Sequence, residues 1–345
     1  MERHTHPFHR SGEVQRCGAS WISHTLAAWG LGTRNALWDA LPPRTASRLA
    51  SGATDAEQTT AVTVLHAVRR RVRVIVTRIC PPLGRGSAMA NIGASRKARL
   101  RIIAGVAWLH ARERLGLGSG NMIRFELKRP LGVVSVWVDS VFDLNVIEEL
   151  YMHGEYDAQL GDARLVVDAG SNIGLAAIDF ALRCPHARIV AIEPDPTALT
   201  KLVRNVRAFP QISVAPVALA ASSGLRPFWS GPATWASGFS RTASHQALIV
   251  VPTKTLDQVL IEAGFFDDID ILKLDVEGAE REVLSSFTGL GSTRMVIGEV
   301  HGPPDSLASR EVLTFVRAAG FDVVVTHCSR STQTFIATNL QRLGL

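Results

Sequence analysis

Four apolar runs in the second half of the chain end on side chains that can do chemistry. Asp168 follows Leu165, Val166 and Val167; Glu193 follows Ile189 to Ile192; Asp275 follows Ile271 to Leu274; Glu299 lies at the end of the run 294–300 and His301 follows it. Short apolar runs without alternation suit buried parallel strands covered on both faces. Acids at the carboxyl ends of such strands face the crevice where open α/β sheets bind ligands. There a carboxylate can balance a cation, accept hydrogen bonds from hydroxyls, or take a proton.

The turn after the first of these acids reads Asp168-Ala-Gly170-Ser-Asn172-Ile-Gly174. Gly170 permits a tight turn, and Gly174 lets the following Ala-rich segment start a helix close to the sheet, its unpaired N–H groups aimed at the crevice. Glu193 lies about 20 residues further on, the register at which an acid accepts hydrogen bonds from both ribose hydroxyls. Glu299 and His301, two apart on one strand, share a face.

The elements needed to position these groups follow from the pattern. Strands are expected over 164–168, 187–193, 212–217, 269–274 and 294–300, with helices over 173–184, 196–208, 256–263, 278–287 and 305–319. Such alternation implies right-handed crossovers and a parallel sheet with helices on both faces. Runs at 321–326 and 333–338, split by His327 to Thr332, predict a closing antiparallel hairpin. The Gly/Ser/Trp-rich stretch 222–254 interrupts the alternation and reads as loops or short strands. Upstream, 122–127 and 133–138 read as a hairpin around Arg129-Pro-Leu-Gly132, followed by a helix over 142–151.

The quoted motifs resemble the FkbM family of class I S-adenosylmethionine-dependent methyltransferases. The resemblance rests on Val166 to Gly174, Ile-Glu-Pro at 192–194, Leu202 with Asn205, Thr-Leu-Asp at 255–257, Lys-Leu-Asp-Val-Glu-Gly-Ala-Glu at 273–280 and Glu-Val-His at 299–301. It covers roughly 122–340. It implies a Rossmann-like α/β fold with a seven-stranded, mostly parallel sheet and a C-terminal antiparallel hairpin. It also implies S-adenosylmethionine as cofactor and a hydroxyl on a small molecule, sugar or lipid as acceptor.

The residues agree with that cofactor. Asn172 stands where a dinucleotide fingerprint needs its middle glycine for backbone contact with pyrophosphate, while an acid at 168 suits a sulfonium and an α-amino group. On this basis Asp168 and Gly170 are assigned to the methionine end, Asn172 to the carboxylate or amino group, Gly174 to the helix start and Glu193 to the ribose. Adenine is placed near Pro194, Ala218 and Leu219. Asp275 either orients the acceptor or binds the amino group of the donor. Glu277 and Glu280 fall in the first helical turn, where the macrodipole stabilises acids and capping competes with catalysis for Glu280. His301 is the leading general base, with Asp275 and Glu299 beside it. Asp275, Glu299 and His301 also have the ligand chemistry of a divalent-ion site; sequence spacing does not bring them within ligand distance, so no metal is assigned. Tyr156 is read as a pocket wall or a core aromatic, and Trp229, Trp235 and Phe239 as an acceptor wall or a local mini-core.

Charge divides the 345 residues. Positions 1–120 hold eighteen Lys and Arg against six Asp and Glu, the remainder nineteen against twenty-five. Residues 1–120 are therefore expected to form a basic extension, partly helical or disordered, and 121–345 the methyltransferase domain. Amphipathic spacing predicts helices over Trp21–Trp38 and Thr59–Ile79, the second ended by Pro81-Pro82, and a further helix over Ser95–Leu115. The arginine-bearing second helix allows peripheral membrane contact or docking. Four scattered cysteines indicate neither zinc nor a disulfide framework. With no apolar run of spanning length and no leader pattern, a cytoplasmic location is expected. Nucleic acid is disfavoured as substrate, because Asp275-Val-Glu-Gly278 replaces the Asn/Asp-Pro-Pro-aromatic turn of base methylation. Two alternatives remain open: a non-catalytic donor-binding scaffold tethered by the basic segment, and an NAD-dependent oxidoreductase.

Overall fold

The computed structural model describes residues 81–343 except 118–119, 155, 157, 232–236, 240–246 and 305, all within one compact unit, Arg73–Leu345. The helices expected over Trp21–Trp38 and Thr59–Ile79 lie outside the described residues.

Helix α1 (Pro81–Met89) opens at the proline pair that was expected to end a helix, because proline's fixed φ suits a first helical turn as well as a stop. Helix α2 (Arg96–Arg114) is capped by Ser95, whose hydroxyl accepts from the Ala98 N–H at 3.1 Å. Its Ile102, Val106 and Leu109 recur at helical spacing and join Met89, Phe125, Leu127, Val134 and Val136 in one buried cluster. Strands β1 (Ile123–Arg129) and β2 (Gly132–Val138) form the expected hairpin. Gly105 allows α2 to rest on it, since a Cβ there would lie 2.6 Å from the Phe125 ring. The packed body thus begins N-terminal to residue 121, where the sequence suggests a boundary.

Helix α3 (Val141–Ile147) starts at a Ser140/Asp143 capping box and continues as a π turn to His153, ending at Gly154 with φ 69°. The alternation then follows: β3 (Leu165–Ala169), α4 (Leu175–Arg183), β4 (Arg188–Ile192), α5 (Pro196–Val206) and β5 (Ile212–Ala215). The stretch read as loops or short strands is a small three-stranded sheet of β6 (Ala218–Leu219), β7 (Gly224–Ser230) and β8 (Ala247–Lys254). After it come α6 (Leu256–Glu262), β9 (Ile271–Leu274), α7 (Glu280–Ser286), β10 (Met295–His301), α8 (Leu307–Ala318), β11 (Phe321–Cys328) and β12 (Thr332–Asn339).

The main sheet runs β11-β12-β10-β9-β3-β4-β5. Its first five strands in sequence order pair in parallel, and β12 is antiparallel to β10 and β11. This is the Rossmann-like class I methyltransferase architecture with its closing hairpin, as expected. Alternation along the strands divides the core: Val166, Ile189, Ile271 and Ile297 pack on one face, Val167, Val190, Leu272 and Val296 on the other. Strand order reverses between β3 and β9, so the crevice opens above those two strand ends.

One buried ion cluster ties the β1–β2 layer to the sheet. Lys201 on α5, 1% exposed, donates to Asp139 at 3.0 Å and Asp143 at 2.7 Å. Replacing Lys201 with Ala strands the buried Asp143 carboxylate, so the urea unfolding free energy is expected to fall by about 3–5 kcal/mol; a loss below about 1 kcal/mol on that scale would mean the cluster is solvated.

Candidate active site

The turn between β3 and α4 is closed by backbone geometry. Gly170 has φ +76°, and a Cβ there would sit 1.7 Å from the Asp275 carbonyl oxygen, so only glycine lets the turn pass under β9's exit. Asn172 takes the left-handed conformation at φ 49°, which short polar side chains tolerate. Gly174, at φ +87°, begins α4 where a Cβ would meet Leu202 at 2.6 Å.

Glu193 crosses from β4 to brace this turn. Its two oxygens accept the Asn172 and Asp195 N–H groups, each at 2.8 Å, and the residue is 5% exposed. Burial outweighs those two donors and pushes its carboxyl up to about 8. Each oxygen keeps a lone pair for a further donor such as a ribose hydroxyl. Asp195 caps α5 through the Thr197 and Ala198 N–H groups and accepts from the Ser237 and Ser230 hydroxyls.

A crevice of about 60 Å³ is lined by Gly170, Asn172, Glu193, Pro194, Ala218 and Leu219, with Phe228, Phe239, Asp275 and Glu277. The positions assigned to turn, ribose and adenine are therefore together. Phe228 and Phe239 meet edge to face at 5.8 Å, so the aromatic wall stands beside Ala218 and Leu219 in this crevice. Trp229, expected in a wall, alternates away from Phe228 along β7, and Trp235 lies outside the described residues. Phe228 was missed because one residue of strand phase separates it from the tryptophan.

Asp168 is corrected. Expected at the methionine end, its carboxylate is fully buried and has no surface in the crevice. Burial raises its pKa, and Lys273, its Nζ 3.5 Å from Oδ1, pulls the other way. Lys273 is the functional residue that sequence reasoning overlooked. It is 2% exposed, donates to Gly170 O at 2.6 Å and Ala169 O at 3.3 Å, and pairs with Asp275 Oδ2 at 3.2 Å. Its neighbours inside the β-run masked it, although a lysine in an otherwise apolar strand is itself a signal.

A larger cavity, about 610 Å³, shares Gly170, Asn172, Asp275 and Glu277 with the crevice and extends to Lys273, Glu299, His301 and the hairpin residues His327 and Ser331. Tyr156, 9% exposed, donates to Asp275 Oδ2 at 3.2 Å. Burial opposes the charge of Asp275, but Lys273, His301 and the Tyr156 bond outweigh it and hold its carboxyl below the usual range. Asp275 is thus a fixed anion and a poor proton acceptor.

His301 is also not the free base expected. Nδ1 lies 2.9 Å from Glu280 and Nε2 3.2 Å from Glu277. Burial works against its charge, yet these hydrogen bonds and the acids around it hold the imidazole up to about 12. An imidazolium has no lone pair to offer. Glu277 precedes α7, in the left-handed region at φ 52°, and Glu280 accepts the Gly278 N–H at 3.0 Å besides pairing with His301. Asp275, Glu299 and His301, left without an ion in the sequence reading, each offer a ligand atom within 4.8 Å of the others.

Fold and site together define a class I methyltransferase. A family model described as the methyltransferase FkbM domain matches residues 168–323, so that segment of the chain is an FkbM methyltransferase domain. Hexuronic acid methyltransferase AglP of Haloferax volcanii is 27% identical over 200 residues, spanning 55% of this chain and 80% of that one. The 31-O-demethyl-FK506 methyltransferase FkbM of Streptomyces tacrolimicus is 28% identical over 210 residues, 51% of this chain and 79% of that one. The 2-O-methyltransferase NoeI of Sinorhizobium fredii is 26% identical over 137 residues, 35% of this chain and 56% of that one. Among the described residues no helix is long and apolar enough to cross a membrane.

Glu193 gives this site a pH signature. The folded chain keeps its proton up to about pH 8, whereas the ordinary carboxyl releases it near 4.5. Its contribution to stability is full below the lower value and is lost as pH rises through the upper one. Urea midpoints of wild type and Glu193→Gln are therefore expected to differ in slope between the two pH limits, the wild type losing stability with rising pH relative to the variant. Parallel slopes would show that Glu193 is ionised throughout.

Proposed function

We propose that the protein transfers a methyl group from S-adenosylmethionine to a hydroxyl of a small molecule or sugar. The observation that carries this is the joined cleft. One half suits a nucleoside: Glu193 with free lone pairs, apolar Val217 and Leu219, and the Phe228–Phe239 pair. The other half is lined by Asp275, Glu277, Glu299 and His301.

The donor set fits a cationic ligand better than a dinucleotide. Among the described residues no arginine or lysine lines the nucleoside crevice, and Asn172 blocks the close backbone approach that pyrophosphate needs. Anionic side chains at the junction favour a sulfonium. When bound, the cofactor supplies a methyl carbon activated by that positive sulfur. The work left to the chain is alignment, which is where most of the rate is gained when two reactants are held in line. Glu193 would hold the ribose and the Gly170–Asn172 turn the chain beyond it. Asp275, pinned by Lys273 and Tyr156, would stand between that chain and the larger cavity, where the acceptor hydroxyl enters. The names of the FkbM and NoeI relatives, both O-methyltransferases, support oxygen as the acceptor atom.

Calorimetry with S-adenosylhomocysteine tests this directly: saturable binding is expected for the wild type, weakened at least about tenfold in Glu193→Ala, as for the loss of buried hydrogen bonds to the ribose. Wild type that binds NADH but not the sulfur nucleoside would overturn the assignment. Incubation with methyl-labelled cofactor and cell extract should then yield a labelled low-mass product stable to mild base, as an ether is.

A further inference from the structure

We propose that Asp275, Glu299 and His301 form a divalent-cation site that seats the acceptor hydroxyl, a role that rests on the methyltransferase reading above. The set mixes two carboxylates with one imidazole, the oxygen-rich chemistry of Mg²⁺ or Mn²⁺ sites. It is also built by the sheet. The β9–β10 register pairs Leu274 with Gly298, so the next residues along, Asp275 and Glu299, leave adjacent strand ends side by side. His301, two residues beyond Glu299, points to the same face.

Each of two ligand atoms is aimed by a contact on its other side. Asp275 Oδ2 is held by Tyr156 and Lys273, both at 3.2 Å, while Oδ1 faces His301 Nε2 at 3.8 Å. That spacing is too long for a hydrogen bond. It falls between the cis and trans ligand separations, about 3.0 and 4.2 Å, of an octahedral ion with bonds of about 2.1 Å. His301 Nδ1 is fixed at 2.9 Å by Glu280, itself 2% exposed, the carboxylate–histidine arrangement that orients imidazole ligands and presents Nε2 to a metal. The ion takes the place of the Nε2 proton, and Glu277, now 3.2 Å from Nε2, is a neighbouring oxygen donor.

The triad lines the larger cavity, next to the junction where the methyl group is expected. A hydroxyl bound there as a further ligand is made more acidic by the ion. Its proton leaves to water in the open cavity, its oxygen attacks the methyl carbon, and the carbon–sulfur bonding pair stays on sulfur. This assigns a role that neither the pinned Asp275 nor the doubly bonded His301 can fill as a base.

The test is a Mn²⁺ titration of the full chain, following free ion by electron paramagnetic resonance, with electron spin-echo modulation to detect coordinated nitrogen. One Mn²⁺ per chain with a single directly bound imidazole nitrogen is expected, and Mg²⁺ should compete for it. Glu299→Gln should weaken binding at least about tenfold, and His301→Asn should remove the nitrogen signal; circular dichroism confirms that each variant is folded. Should one variant not fold, the other and the wild-type nitrogen signal decide. No bound Mn²⁺ at millimolar ion overturns the proposal. So does Mn²⁺ that both variants retain, which would place the ion elsewhere, for instance on the histidines near the start of the chain. Binding of S-adenosylhomocysteine in EDTA separates the two conclusions, since it survives if only the cation site is wrong and is absent if the methyltransferase reading itself fails.

Discussion

The buried ammonium of Lys273 holds the site together. Two carbonyls of the turn after β3 and two carboxylates, Asp168 and Asp275, converge on one side chain that is 2% exposed. A lone charge in that position would cost several kcal/mol to desolvate, and here both signs are present with hydrogen bonds to spend. Burial opposes the charged form of the lysine, and the two acids more than restore it. The turn after β3 cannot shift without disturbing Asp275.

That coupling explains how the two parts of the cleft divide their tasks. In the smaller crevice, burial raises the Glu193 carboxyl although two backbone N–H groups that brace it pull the other way. On the other side, Asp275 is lowered by Lys273 despite its burial. Two carboxylates at the ends of the strands flanking β3 thus have opposite protonation tendencies, because burial outweighs the N–H dipoles at Glu193 whereas full positive charges outweigh burial at Asp275.

Much of the frame was legible in the linear chain. The apolar runs ending in acids located β3, β4, β9 and β10, and the helix expected over 256–263 is α6, which the structure starts with a Thr255/Gln258 capping box. Elements were missed where one local signal has two meanings. Pro81-Pro82 both ends helices and begins them, and the Trp-rich stretch, read as loops or short strands, left the bounds and pairing of β7 and β8 open because half of their side chains face outward. Phe228 and Trp229 differ only in which side of β7 they occupy, and phase is set by pairing with β8.

The sequence by itself determined the residue types at the strand ends, the glycines that the turn requires and the class of fold, because these follow from near-neighbour sterics and the period of apolar burial. Only the tertiary structure decided which acids face the cleft. Asp168 and Asp275 look equivalent as strand-terminal acids, yet one is sealed beneath Lys273 and the other lines both cavities. Likewise His301 reads as a free base until Glu277 and Glu280 are brought to its two nitrogens. The reason is that protonation and exposure depend on distances between residues from different strands and turns, fixed by sheet register and burial, and no local stretch of chain encodes them.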